Sequence, residues 1–153
     1  MSMGEMSQTR LRAWLSAVIW TLAGVIFFLT FFAGGGPGEL DTDSKRHATG
    51  ALALGFGFVG YWLVLWFTRQ RKGAPPVSDE RDLQVVAQAN QVTLIVVMVG
   101  IYTFTISLWI AYEAAGLVPV GWMWFLAYGS PILAFITSSV TTLVLDGRVS
   151  GNG

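Results

Sequence analysis

The sequence predicts an all-α integral membrane protein that folds as one four-helix bundle. Three observations support this prediction: four long apolar stretches, a charged share of only 12%, and the distribution of basic residues between the loops. Soluble domains carry about 25% charged residues. A chain of 153 residues that is 54% hydrophobic has too little interior to bury its apolar side chains in water. We therefore expect a single transmembrane domain over residues 1–153.

The four apolar stretches cover about residues 13–33, 48–67, 92–111 and 120–145. Each has the roughly 20 residues that a helix needs to cross a hydrocarbon layer of about 30 Å. None carries an ionisable side chain in its middle. Because backbone groups in lipid must be bonded within their own segment, each stretch is predicted to be a helix. The first stretch is too long for the core of a signal peptide, so we expect it to remain as span one.

Basic residues predict the orientation of the bundle, because cytoplasmic loops are enriched in Lys and Arg. The first loop carries Lys45 and Arg46, and the last loop carries neither residue type. The other basic residues fall on the opposite side: Arg10, Arg12, Arg69, Arg71, Lys72, Arg81 and Arg148. Both termini and the loop of residues 68–91 are therefore expected in the cytoplasm. Short links between the spans favour an up-down-up-down bundle in which sequential helices are neighbours.

The cytoplasmic loop contains a helix signal. Gly73 and the two prolines that follow Ala74 stop the chain after span two. Ser78 can cap a helix whose first turn holds Asp79 and Glu80, where the helix dipole favours acids. The third helix is therefore predicted to begin near Asp79 and to extend from the cytoplasm into span three.

An acidic-basic element (Asp79, Glu80 and Arg81) opens this third helix. Basic residues stand across the short loop, at the inner end of span two: Arg69, Arg71 and Lys72. We expect opposite charges to hold these two helix ends together. Exposed pairs contribute about 0–1 kcal/mol each, so their role would be geometry more than stability.

Span two carries small residues on one face: Thr49, Ala53, Gly57 and Gly60. Small residues four apart let helix backbones approach closely in lipid. Packing inside one bundle is the favoured interpretation of this face. A docking face for self-association or for a partner, and a ligand groove, are the alternatives.

Span four carries Pro131 in its middle and a series of hydroxyls towards its inner end: Thr137, Ser138, Ser139, Thr141 and Thr142. The proline removes a backbone donor, and neighbouring hydroxyls can satisfy the freed carbonyls. Ordinary hydrogen bonding between helices explains these hydroxyls most simply. A small polar path along the kinked helix is the sharper alternative.

Two ionisable residues are candidates for chemistry. Glu113, at the outer end of span three, is a possible transport carboxylate, although a proton-coupled site needs an acid deeper in the bilayer. His47 could form a weak external metal site with Asp41, Asp43 and Glu113, but a solvated loop is favoured. One histidine and no cysteine leave no haem ligand pair and no thiolate site. We therefore expect no cofactor and no resident metal.

The residues around the third helix carry a resemblance to a known group. Ser78-Asp79-Glu80-Arg81 opens a helix, and Ala89-Asn90 and Thr93 lead into the second pair of spans. This pattern resembles the DUF2178-like group of small bacterial and archaeal membrane proteins of unknown function. The resemblance implies four spans and a cytoplasmic Asp-Glu-Arg element. Together with the small size, it implies a bacterial inner (plasma) membrane, and it implies no activity.

The leading functional hypothesis is a non-catalytic membrane protein: an accessory, assembly or regulatory subunit that docks on another membrane component. A small homodimeric transporter or channel is the alternative. An enzyme is not expected, because no set of ionisable groups converges on one face of the spans. The expected surroundings are the lipid bilayer and a membrane-protein partner or a second copy. A net charge of zero gives no reason to expect nucleic acid as a partner.

Overall fold

A computed structural model describes residues 8–33, 35–36, 39–40, 43–69 and 80–151 of the chain. Four helices account for nearly all of them: α1 (Gln8–Phe32), α2 (Ser44–Phe67), α3 (Glu80–Tyr112) and α4 (Val120–Gly151). Each helix is long and apolar enough to cross a membrane. The prediction of an all-α protein with four candidate spans is therefore confirmed.

The helices extend beyond the apolar stretches that predicted them. α2 begins at Ser44 because the Asp43 side chain caps its first turn, accepting from the backbone N–H groups of Lys45 and Arg46 at 3.0 and 3.2 Å. Lys45, Arg46 and His47 therefore lie in the first turn of a helix, and the expectation that they belong to a loop is wrong. The α2 boundary follows the cap, which a hydropathy profile does not register.

The helices pack in the order α2, α1, α4, α3, with α1 and α4 in the centre. Each neighbouring pair in this order is antiparallel, since the beginning of one helix meets the end of the next, whereas the smaller contact between α2 and α4 is parallel. Among the described residues, α2 and α3 do not pack along each other, although they are consecutive in the chain. The expectation that all sequential helices are neighbours is wrong at this pair. The reason is α1, whose large aromatic side chains are covered by α2 on one side and by α4 on the other.

An aromatic cluster forms the core between α1, α2 and α4. Trp20 of α1 is fully buried and stacks on Phe135 of α4, with ring centroids 4.4 Å apart and planes inclined by 2°. The ring of Phe58 from α2 meets Trp20 edge-on at 5.2 Å. Leu40, from the link between α1 and α2, is 1% exposed and joins this cluster. The depth of Trp20 in its span fits this buried position better than a place among the headgroups.

α3 has 33 residues, which corresponds to about 50 Å at 1.5 Å per residue. It begins at Glu80, next to the predicted start; Ser78 and Asp79 lie outside the described residues. The part before residue 92 is packed on the bundle, because Val85 and Ala89 are buried there. α4 is also longer than its apolar stretch, so its last turns lie beside the first turns of α3.

Candidate functional site: a polar cavity among the four helices

The small-residue face of α2 is occupied by α1 of the same chain. A Cβ atom on Gly57 would lie 2.6 Å from the Trp20 ring, and one on Gly60 would lie 2.9 Å from Ile19. Ala53 is 4% exposed, whereas Thr49 is exposed and its hydroxyl donates to a backbone carbonyl of its own helix. Three of the four residues predicted for this face therefore pack inside the bundle. α1 covers the face at Gly57 and Gly60, and Thr49 is its exposed member.

The acidic-basic element contacts α4, and its neighbour Asp82 contacts α1. Arg81 Nη2 lies 4.0 Å from Asp146 Oδ1, and the hydroxyl of Thr9 donates to Asp82 Oδ2 at 3.1 Å. Glu80 is exposed, and Asp79 lies outside the described residues, as do Arg71 and Lys72. No anionic partner had been predicted for Arg81. Its anion comes from the end of α4, because α3 packs on α4 and not on α2.

Asp146 is a buried acid that the sequence-based reasoning overlooked. Its exposed fraction is 7%, and Arg10 Nε lies 3.8 Å from its Oδ2 atom, whereas Arg81 approaches its Oδ1 atom. The available signal was a single acid one residue after the last apolar stretch. The sequence alone does not distinguish a buried acid at the end of a span from a solvated one. Only the approach of α1 and α3 makes it a buried partner for two guanidinium groups.

Two arginines satisfy the last carbonyl groups of neighbouring helices. Arg12 of α1 donates from Nε to the Thr68 hydroxyl at 2.7 Å and from Nη2 to the Thr68 carbonyl, just after α2. Arg46 of α2 donates to the carbonyls of Thr30 and Phe31 at 3.2 and 2.8 Å, at the end of α1. These reciprocal arginine caps supply donors and positive charge where a helix end lacks hydrogen-bond partners and carries partial negative charge.

A polar cavity of about 560 Å³ lies between α2 and α3, over the α1–α4 pair. All four helices contribute to its lining, and since α2 and α3 do not pack along each other, they form its two sides. The lining is rich in hydroxyl groups: Thr9, Ser16, Tyr61, Thr93, Ser138, Ser139 and Thr142. Its volume lies within the range of about 300–1,000 Å³ that is typical of sites for small molecules.

Some of these hydroxyls bond within the bundle and others do not. Ser139 donates to Ser16 across α4 and α1 at 2.9 Å, and Thr142 donates to the carbonyl of Ser138. The Tyr61 hydroxyl, the Ser138 hydroxyl and the Asn90 amide make no hydrogen bond to another described residue. Ordinary hydrogen bonding is therefore present at Ser139 and Thr142, and the polar path along span four stays a prediction. Pro131 lies inside α4.

Opposite charges line one part of the cavity. Arg12 and Asp82 are both half-buried and both belong to its lining. Neither forms an ion pair with the other or with any other described residue. Arg12 uses Nε and Nη2 on Thr68, and Asp82 uses Oδ2 on Thr9, so Nη1 and Oδ1 retain hydrogen-bonding capacity. The cavity can therefore offer a cationic and an anionic group to one occupant.

A second cavity of about 570 Å³ lies on another side of α4, between α1 and α3. Three glycines, Gly24, Gly100 and Gly129, are part of its lining, and the other residues around it are almost all aliphatic or aromatic. Its chemistry matches that of acyl chains in the surrounding bilayer. It has no group that could orient a polar ligand apart from the hydroxyls of Thr21 and Ser130.

The two ionisable candidates of the outer side have different environments. Glu113 is exposed in the turn after α3, outside both cavities. His47 Nε2 lies 3.2 Å from the Tyr128 hydroxyl, and its ring meets Trp124 edge-on at 4.4 Å. The expectation of a solvated loop for His47 is wrong because α2 begins before it. Within the described ranges, no three His, Cys, Asp or Glu side chains are grouped to hold a metal ion, and Asp41 lies outside those ranges.

The architecture is that of a multi-pass α-helical membrane protein: four helices long and apolar enough to span a membrane, with a partly open polar cavity among them. No protein-family model matches the chain, and neither a curated protein nor a solved structure matches it. The resemblance to the DUF2178-like group therefore stays a prediction.

Proposed function

We propose that this protein is a non-catalytic accessory, assembly or regulatory subunit that docks on another membrane protein through α3. The observation that carries the proposal is the position of α3 at the edge of the bundle. Among the described residues, its only extensive neighbour is α4, and only Val85, Ala89 and Leu108 of its own 33 residues are buried. A helix with so few internal contacts presents most of its surface to lipid or to a partner.

The exposed surface of α3 includes a stripe of small residues: Thr103, Ser107 and Ala111. They are four apart, so they lie above one another along one flank of the helix. In lipid, apolar side chains gain little by leaving the acyl chains for a protein surface, and close approach at small residues drives helix association instead. This flank replaces the small-residue face of α2 as the proposed docking surface.

The proposed subunit is non-catalytic because ionisable groups at the helix ends are engaged in contacts that hold the bundle together. Arg12 and Arg46 cap neighbouring helices, and Arg10 and Arg81 hold Asp146. These contacts join α1 to α2 and α4, and α3 to α4. A group that maintains the packing of the bundle is poorly placed to exchange protons with a substrate.

The proposal places both termini, and the ends of α1 and α4 that meet at Asp146, in the cytoplasm of a bacterial plasma membrane. The chain lacks cysteine, so single cysteines report topology without background. Leu117→Cys, in the exposed turn between α3 and α4, should react with an impermeant maleimide in intact spheroplasts. Gly147→Cys, exposed near the end of α4, should react only after lysis. The opposite pattern would reverse the orientation.

The docking surface is tested by adding bulk to the stripe. Thr103→Leu with Ser107→Leu should abolish a complex that is visible on native gels in mild detergent. Thr105→Leu is the matched control, because Thr105 is equally exposed but lies about 200° around the helix from Thr103. A complex that survives the double substitution would refute docking through this flank. A complex that contains only this chain would make the protein a homo-oligomer.

A small homodimeric transporter or channel is the second candidate, and the polar cavity is the observation that favours it. Hydroxyl-lined space at membrane depth is what a polar solute would need. Glu113, which is exposed in the outer turn, is not a suitable coupling acid in this arrangement. Solute-loaded vesicles with the purified protein test the candidate directly, and an absence of flux across a panel of small polar solutes would remove it.

A further inference from the structure

We propose that the polar cavity between α2 and α3 binds the headgroup of a zwitterionic phospholipid that carries a primary ammonium, as in phosphatidylethanolamine. Asp82 would accept from the ammonium and Arg12 would bind the phosphate. This inference goes beyond docking, and neither α3 substitution that tests docking lies in the cavity lining.

The charge pattern selects the class of ligand. One guanidinium and one carboxylate line the same cavity without pairing with each other, and each retains an unused polar atom. An anionic ligand would satisfy Arg12 and be repelled by Asp82, while a cationic ligand would do the reverse. A zwitterion satisfies both, because a guanidinium binds phosphate through a pair of N–H donors and a carboxylate accepts from an ammonium.

The level of the charged residues matches that of lipid headgroups. Asp82 contacts Thr9, which lies four residues, or about 6 Å, before the apolar stretch that begins at Ala13. The polar region on each side of a bilayer is about 5–8 Å thick. Arg12 immediately precedes the same stretch. Both charges therefore lie where the phosphate and ammonium of a membrane lipid are found, next to a pool of that lipid.

The deeper part of the cavity fits the remainder of a lipid better than it fits a small solute. Ser16 lies four residues, or about 6 Å, further into the stretch than Arg12, and the Ser138 hydroxyl has no described partner. Such hydroxyls can donate to the ester carbonyls that lie below a phosphate. Leu65, Val86 and Phe135 complete the lining with apolar surface, which suits the first methylene groups of acyl chains.

Native mass spectrometry of the purified protein in detergent tests the proposal. Phosphatidylethanolamine, phosphatidylcholine and phosphatidylglycerol with identical acyl chains are titrated separately. The ethanolamine lipid should bind about tenfold more tightly than either of the others, or roughly 1.4 kcal/mol. Phosphatidylcholine lacks ammonium hydrogens to donate, and phosphatidylglycerol lacks the cation altogether. Equal affinity for all three lipids would overturn the proposal.

Two variants assign the selectivity to the cavity. Asp82→Asn keeps an acceptor for Thr9 but loses the charge, so the preference for ethanolamine over glycerol headgroups should disappear. Glu113→Gln removes one acid from the exposed outer turn and should leave the preference intact. An unchanged preference in Asp82→Asn would refute the site. If Asp82→Asn does not fold, Ser138→Ala takes its place and should lose affinity for all three lipids. Full affinity in Ser138→Ala would then refute the site.

A further arm of the same experiment separates a lipid from a soluble zwitterion. Glycerophosphoethanolamine has the same headgroup but no acyl chains. It should not compete with the lipid at equal concentration, because the apolar part of the lining then has no occupant. Competition at equal concentration would show that the site belongs to a soluble zwitterion, and it would overturn the assignment to a lipid.

Discussion

Gly57 offers the sharpest test of how α1 and α2 pack. A methyl group on this residue would lie 2.6, 2.9 and 2.9 Å from three atoms of the Trp20 ring. Carbon atoms in contact prefer about 3.5–4.0 Å, so the ring must retreat by roughly 1 Å. It has little freedom to do so, because Trp20 is fully buried and already stacks on Phe135 at 4.4 Å. Gly57→Ala should therefore destabilise the protein.

Gly55→Ala isolates the magnitude of this effect. A methyl group on Gly55 meets no atom within 4 Å, yet the substitution brings the same gain in helix propensity, which is about 1 kcal/mol in water. When the unfolding free energies of the two variants are subtracted, the contribution of helix propensity cancels and the steric cost of the methyl group remains. Overpacking of a well-filled core costs about 1–3 kcal/mol. We expect Gly57→Ala to be less stable than Gly55→Ala by that amount.

Unfolding by SDS in mixed micelles, followed by circular dichroism, measures the free energy of unfolding for each variant. Trp20→Phe provides an internal check, because a smaller ring leaves room for the methyl group. The combined Trp20→Phe and Gly57→Ala variant should then lose less stability than the sum of the single losses. Equal stability of Gly57→Ala and Gly55→Ala would refute the close approach of these two helices.

Three further substitutions test other contacts by the same unfolding assay. Ser139→Ala removes the hydrogen bond between α4 and α1 and should cost about 0.6 kcal/mol, and no loss would contradict the bond. Asp146→Asn leaves two arginines facing a neutral group and should cost about 1–3 kcal/mol, whereas Arg148→Gln, exposed on the same helix, should cost less than about 0.5 kcal/mol. Arg46→Gln removes the cap on α1 and should cost about 1–2 kcal/mol, and an equal loss in exposed Lys45→Gln would argue against the cap.

Hydropathy predicted the four helices because a bilayer imposes a minimum length on each span. A separate signal predicted the start of α3 to within one residue, since Glu80 and its neighbours carry a helix-start pattern that is independent of hydropathy. These features depend on one segment at a time, which is the information that a single sequence contains.

The arrangement of the helices was beyond sequence-based prediction for a physical reason. In lipid, the outer surface of a bundle is as apolar as its interior, so hydrophobic periodicity does not mark the face that packs. α3 illustrates this, because large apolar residues such as Leu94 and Ile110 are exposed while Ala89 is buried. Because the sequence does not show which face of α3 packs, it does not show which helices are the neighbours of α3.

The polar site was missed for a related reason. The groups that surround it come from all four helices, and its charged groups, Arg12 and Asp82, precede the apolar stretches of their helices. Asp82, Arg12 and Asp146 each look like ordinary solvated residues in the sequence. The ion pairs of Asp146, and the positions of Arg12 and Asp82 around one cavity, arise only when the four helices pack.

The reciprocal arginine caps have a consequence for biogenesis. Arg12 and Arg46 link α1 and α2 at both of their ends, and every residue involved precedes position 70. The first helical hairpin can therefore neutralise its own polar termini while the second half of the chain is still inside the ribosome. The chain can then leave the translocon as two successive hairpins. The aromatic side chains of the first hairpin stay uncovered on one side until α4 packs against them.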